Sequence, residues 1–137
     1  MSDLSLTAAN VVPGTGAQLG YGTAGVAITA GQMLYEDAAD ANKLKLADAN
    51  GASALRTPIG MAVCNAAIGQ RVTYQKGGEA AMGSVLTQGT IYVLSDTAGG
   101  IKPSADLASG HYVCIVGVAK SASVMTMHLW ASGNAPA

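Results

Sequence analysis

Gly25-Val26-Ala27-Ile28-Thr29-Ala30-Gly31 and Gly83-Ser84-Val85-Leu86-Thr87-Gln88-Gly89 share two glycines, an apolar residue and a threonine in register, 58 positions apart. The match continues downstream. Met33-Leu34-Tyr35 answers Ile91-Tyr92-Val93, Lys43-Leu44-Lys45 answers Gly100-Ile101-Lys102, and Ile59-Gly60-Met61-Ala62 answers Val116-Gly117-Val118-Ala119. Val72-Thr73-Tyr74 corresponds loosely to Met127-His128-Leu129. Self-similarity at one period is read before any motif, because missing it misassigns the whole fold. Two copies are too few for a solenoid, so the expectation is one pseudo-symmetric core.

The units read as β structure. Arg71-Val72-Thr73-Tyr74-Gln75 and Lys43-Leu44-Lys45-Leu46 alternate polar and apolar residues, which puts one set of side chains on each face of a strand. The stretches 90–95, 111–119 and 124–130 are rich in β-branched and aromatic residues. Gly77-Gly78 and Gly99-Gly100 supply tight connections. The segment 36–54 has helical propensity, but its counterpart 95–108 holds two glycines and Pro103, so both read as loop, short strand, loop, with a short helix over 37–42 as the alternative. The expected fold is all-β: a compact β-sandwich or β-barrel of two tandem pseudo-symmetric units, 25–76 and 83–131, linked by a glycine-rich joint 77–82. Residues 1–24 read as an extended Gly-rich N-terminal arm and 132–137 as a short tail. Removal of 1–22 is expected to leave the body folded. Gly31, Gly89, Gly60 and Gly117 are read as structural turn glycines, and Val11, Val12, Pro13, Tyr21 and Trp130 as candidate interface residues.

Composition bounds the rest. Leu, Ile, Val and Phe supply 28 of 137 residues, a proportion that borders on disorder, but 7 basic against 8 acidic residues leave little self-repulsion. So little bulk predicts that some burial is completed on a neighbouring subunit or partner. No Lys/Arg cluster provides the footprint of phosphate-backbone binding, so nucleic acid is not an expected partner. No run approaches the ~20 apolar residues of a membrane span. MSDLSLTAAN lacks a basic start and an apolar block, so no secretory signal is expected; with only Cys64 and Cys114, synthesis in a reducing compartment is the reading.

Chemistry-bearing patterns are sparse. Gly20-Tyr21-Gly22-Thr23-Ala24-Gly25 matches G-x-G-x-x-G, but the dinucleotide fingerprint needs a helix to begin there and Ile28-Thr29-Ala30-Gly31 follows instead. Glu36, Asp37 and Asp40 lack the alternate ligands and closing Glu of a calcium loop and read as a solvated loop. His111 and His128 have no nucleophile elbow or orienting acid in sequence, so no catalytic residue, metal or cofactor is expected and the chain is not read as an enzyme. Cys64 and Cys114 occupy non-equivalent places in the two units and read as small buried thiols.

The run AGVAITAGQMLYEDAADANKLKLADANG (24–51), then TPIGMAV (57–63), GTIYVLSDTAGGIKPSADLASGHY (89–112) and VGVAKSA (116–122), resembles a group of small tailed-bacteriophage proteins encoded among head genes. Such proteins are similar to capsid decoration, or cement, proteins. The resemblance implies a virion protein made in the bacterial cytoplasm. It would bind the major capsid protein on the outer surface of the head, as a homo-oligomer and most simply a trimer. A carbohydrate- or cell-surface-binding β module of a phage fibre is the alternative, and it predicts a shallow cleft with exposed Tyr or Trp beside polar groups.

Overall fold

The computed structural model describes residues 4, 6–48, 58–95, 97–106 and 113–131. His111, Tyr112 and the tail 132–137 lie outside them. The described strands are β1 (Val12–Pro13), β2 (Gln18–Thr23), β3 (Met33–Asp37), β4 (Lys43–Leu46), β5 (Gly60–Ala62), β6 (Arg71–Ala81), β7 (Ile91–Leu94), β8 (Ile101–Pro103), β9 (Cys114–Ala119) and β10 (Val124–Ala131). Short 3-10 turns occur at Ala8–Asn10, Ala38–Asp40 and Ser104–Asp106, and no α-helix occurs among the described residues. The protein is thus nearly all-β, a single antiparallel sheet curled into a half-barrel.

The sheet path runs β4-β3-β5-β6-β10-β9-β7-β8, with β1 and β2 also laid on β6. Curling brings Ala24 into a bridge with Leu44, where the Gly25 N–H donates to the Leu44 carbonyl at 2.8 Å. β6 is the spine. Its first half pairs with β2 and β5, and its second half with β1 and β10.

This corrects the joint expected at 77–82. The ladder from His128 opposite Gly77 to Val124 opposite Ala81 carries β6 straight through it. The glycines serve close approach, not chain reversal: Gly78 has φ +83° and a Cβ there would strike the Gly16 carbonyl. Buried Gln75 braces the same place, its Nε2 donating to the carbonyls of Gly77 and Glu79 at 2.9 and 2.8 Å.

The described part of 1–24 is likewise built into the body and is not a separable arm. β1 and β2 line one edge of β6, the Gly14 N–H donates to the Glu79 carbonyl at 2.7 Å, and the Leu4 N–H donates to the Ile101 carbonyl at 2.8 Å. Removing 1–22 would strip that edge, so loss of stability replaces the expectation of an unperturbed body.

Two apolar clusters lie on opposite sides of β3 and β5. Met33, Tyr35 and Met61 face the larger, which also holds Tyr92, Leu94, Val116, Met125 and Met127. Leu34 and Ala62 face the smaller, with Leu44, Val72 and Ile28. Burial on both faces accounts for Met33-Leu34-Tyr35 and Met61-Ala62 carrying no polar alternate. The chain has no Phe; Met33, Met61, Met82, Met125 and Met127 contribute large side chains to the larger cluster beside Tyr35, Tyr92, Leu94 and Ile101. A flexible thioether fills the irregular gaps a curled sheet leaves.

Between β3 and β4 the register closes from Asp37 to Lys43, and within the span weighed as a short helix over 37–42 only a single 3-10 turn, Ala38–Asp40, forms. It is capped by the Asp37 carboxylate accepting from the Ala39 N–H at 3.0 Å, and Ala41 and Asn42 then adopt left-handed conformations.

Candidate functional site

The period of two that organises the strands also decides what they present outward. On β2 the pattern is inverted from the ordinary one. Gly20 and Gly22 face inward because a Cβ at Gly20 would lie 2.7 Å from the Tyr74 ring and one at Gly22 would lie 3.1 Å from the Leu44 side chain. Leu19 and Tyr21 therefore point to solvent, Tyr21 with 66% of its surface exposed. The Arg71 guanidinium lies over the Tyr21 ring, 3.7 Å from its centroid, a cation–π contact between diagonal neighbours on paired strands. The G-x-G-x-x-G match therefore falls on a strand, and its first two glycines answer to packing.

A second outward face spans β7, β9 and β10. Ile91 opposes Val118, Val118 opposes Thr126, and Ile115 opposes Trp130. A register shift in β9 keeps Ile115 and Val118 on one side while Cys114, Val116 and Ala119 point into the larger core. Trp130 is 55% exposed, Ile91 43% and Val118 42%. At its margin the Lys120 Nζ lies 2.6 Å from the Glu79 carboxylate.

Of the candidate interface residues, Val12, Tyr21 and Trp130 are exposed and Pro13 is half-buried. Val11 is a correction. It belongs to the larger core, because the chain entering β1 turns it inward while Val12 turns out. Gly31 and Gly89 have φ +97° and +83°. Gly60 and Gly117 do not sit in turns but in β5 and β9. There a Cβ on Gly60 would come 2.7 Å from the Gln75 carbonyl oxygen, and one on Gly117 would strike the Thr126 carbonyl. Ile91, Val118 and Leu19 escaped sequence reading. The only signal was the want of a polar alternate in Ile91-Tyr92-Val93-Leu94, which fits a strand buried on both faces equally well.

Several of the remaining charged groups pair with one another. Lys45 reaches Asp37 at 2.7 Å and Asp40 at 3.1 Å; the contact with Lys45 holds the Asp37 carboxyl below its ordinary range, and the same contact raises Lys45. Burial, then the charge of Glu36, raises Tyr74. Burial pushes the Cys114 thiol up to about 12. The Cys64 sulfur accepts from the Thr73 N–H at 3.3 Å, and His128 is exposed on β10. Among the described residues no group of three or more His, Cys, Asp or Glu side chains could hold a metal. None of their helices is long and apolar enough to cross a membrane. A cleft of about 260 Å³ lies between Leu4, Leu6, the turn at Thr29–Gln32 and Gly99, lined by peptide groups, aliphatic side chains and the neutral polar side chains of Thr29 and Gln32, with no titratable group. It offers shape and neutral hydrogen-bonding groups, not acid–base chemistry. No protein-family model matches the chain, and no curated protein matches it.

Proposed function

We propose that this chain is a structural virion protein that decorates and stabilises the outer surface of a bacteriophage head by binding the major capsid protein, as a homotrimer. The family resemblance of its sequence suggests this reading, and one observation carries it: large apolar side chains, among them Val12, Leu19, Tyr21, Ile91, Val118 and Trp130, stand exposed on strands of a rigid sheet. Only 11% of the residues are charged. Aromatic and aliphatic side chains presented by a preformed β surface are what a protein–protein interface uses as anchors. No catalysis is required for the role.

The body is part of the proposal: two tandem units, the second repeating the first. The Gly31 N–H donates to the Ala62 carbonyl and the Gly89 N–H to the Ala119 carbonyl, both at 2.8 Å. The Ala62 N–H donates to the Gln32 carbonyl and the Ala119 N–H to the Thr90 carbonyl, at 2.8 and 3.0 Å. Tyr35 opposes Lys45 as Val93 opposes Lys102, and Leu34 opposes Gly60 as Tyr92 opposes Gly117. One sequence match shifts. Gln75 opposes Met61 and Thr126 opposes Val118, so the counterpart of Thr126 is Gln75, and the alignment of 72–74 with 127–129 gives way.

The fibre reading draws on the same exposed aromatics, Tyr21 and Trp130. It is the weaker one, because Arg71 covers a face of the Tyr21 ring that a sugar would stack on and the described cleft carries no aromatic side chain. The test is co-purification. The chain should travel with intact heads in a fixed copy number per capsid and rebind stripped heads saturably; its absence from heads, or binding to isolated surface glycans instead, would overturn the proposal.

A further inference from the structure

We infer that the N-terminal segment, residues 4 and 6–15, is exchanged between copies of this chain, each copy seating it in the groove of the next. The inference rests on the homo-oligomeric part of the proposed function and names the element that part would use. The segment is a strap that spans from β8, at the end of the sheet path, back to β6. At one end the Leu4 N–H donates to the Ile101 carbonyl on β8 at 2.8 Å. At the other, Val12 and Pro13 oppose Ala81 and Ala80 on β6, and the Glu79 N–H donates to the Thr15 carbonyl at 2.9 Å. Between these ends Leu4, Leu6 and Ala8 pack on the larger cluster, and Val11 is buried in it.

The groove thus selects its occupant, because its strand edges and its apolar floor already fit this one sequence. A second copy carries the same sequence, so exchange remakes every one of these contacts and alters only the connection. Release without exchange would open the place of Val11 in the core to water. The connection is a tight turn in which the Ala17 N–H donates to the Gly14 carbonyl at 3.3 Å and Gly16 has φ +70°. β1 and β2 run in the same direction along one edge of β6. Straightening the turn therefore carries the strap off its own β6, and short hinge connections favour exchange. The seat is also loosely packed, since the cleft of about 260 Å³ opens between Leu4, Leu6 and the turn at Thr29–Gln32. Copies that each hand a strap to the next make a head-to-tail contact, which closes into a ring as a trimer does.

The test places a disulfide where the segment meets β6. Val12 and Ala81 are directly opposed on antiparallel strands, a pairing that sets their Cα atoms about 4.5–5.5 Å apart, within the span a disulfide bridges. The full-length Val12→Cys/Ala81→Cys variant, in a Cys64→Ser background, is fractionated by size-exclusion chromatography, oxidised with diamide and run on denaturing, non-reducing gels. Chains from the oligomer should be covalently linked to one another, whereas chains from any monomer fraction close the bridge internally. Gly16→Val, followed by sedimentation velocity, carries the test if the paired variant misfolds or fails to oxidise. Nothing lies within 4 Å of a Cβ at Gly16, so the substitution penalises only the positive φ of the closed turn and should strengthen association at least about fivefold. An oligomer whose bridges all lie within single chains, or a Gly16→Val that associates no more tightly than the parent, overturns the exchange and leaves the homo-oligomer standing. A parent that is monomeric at every concentration overturns both, while co-purification with heads reads the capsid contact separately.

Discussion

Met33 opposes Met61 across β3 and β5, and Ile91 opposes Val118 across β7 and β9, yet the first pair is shut away from water and the second stands in it. The difference lies in what the second half of the sheet does with its inner side. Tyr92, Leu94, Val116, Met125 and Met127 pack in the cluster that receives Met33 and Met61, so the inner face of the second half covers the outer face of the first. Nothing described performs that service for Ile91 and Val118. Ile91 and Val118 thus stand apolar on the outer side of the curled sheet, where a solvent-facing strand ordinarily presents polar residues.

The largest effect separates these two rungs. Met61→Ala should cost about 2–5 kcal/mol, since it removes a long side chain from the larger core and leaves a cavity. Val118→Ala, measured at a concentration where the protein is monomeric, should stay within about 0.5 kcal/mol. Urea denaturation of both variants settles the comparison; equal costs would mean that Val118 is covered within the single chain.

Matched glycines sharpen it at smaller scale. Gly117→Ala should cost about 1–3 kcal/mol, because the new methyl meets the backbone carbonyl of Thr126 on the neighbouring strand, which cannot give way. Gly31→Ala and Gly89→Ala both place an L side chain at positive φ, a penalty of about 1–2 kcal/mol. Only Gly31 adds a contact, 2.8 Å to a methyl of Leu6, whereas nothing lies within 4 Å of Gly89. Melting temperatures should therefore fall more for Gly31→Ala than for Gly89→Ala, and the reverse order would contradict the packing described at Leu6.

Cys114 tests whether the inner face of the second half is as closed as its outer face is open. Its thiol, pushed up to about 12 by burial, is only about one part in ten thousand thiolate at pH 8. Iodoacetamide should label it at the rate of global unfolding and no faster. Labelling of native Cys114 at a free-thiol rate would show that the face is not closed.

Much of the strand content was legible because polar–apolar alternation and β-branched composition are local. Lys43–Leu46, Ile91–Leu94 and Val124–Ala131 fall where their residues predict strands. Gly77-Gly78 was not legible, since a glycine pair serves a turn or a bulge equally well. Here a carbonyl from Gly16, remote in sequence, decides between them. Counting Leu, Ile, Val and Phe as the core missed five buried methionines and two buried tyrosines of the larger cluster, so the core is less thin than that count implied. Of the candidate site, Tyr21 and Trp130 could be named from the sequence, but that they face water could not. Outwardness depended on Gly20 and Gly22 claiming the inner side of β2, and on a register shift in β9.

The smallest effect concerns the β3–β4 hairpin, where Lys45 stands opposite Tyr35 and reaches Asp37 and Asp40, whereas Lys102 in β8 is buried opposite Val93. Lys45 holds the Asp37 carboxyl below its ordinary 3.8, so the pair stabilises the fold above that pH, and the contribution disappears as acid titrates Asp37 through its lowered folded value. Lys45 is raised above 10.5, so its share is complete below that pH and disappears as the pH climbs through the raised value. Asp37→Asn should therefore be slightly less stable than the parent at neutral pH and lose less stability between pH 4 and the acid limit. Lys45→Met should flatten the alkaline end in the same way. Both are read from urea midpoints across the pH range, and a parent and Asp37→Asn that fall in parallel below pH 4 would show that Asp37 carries no folding-linked proton.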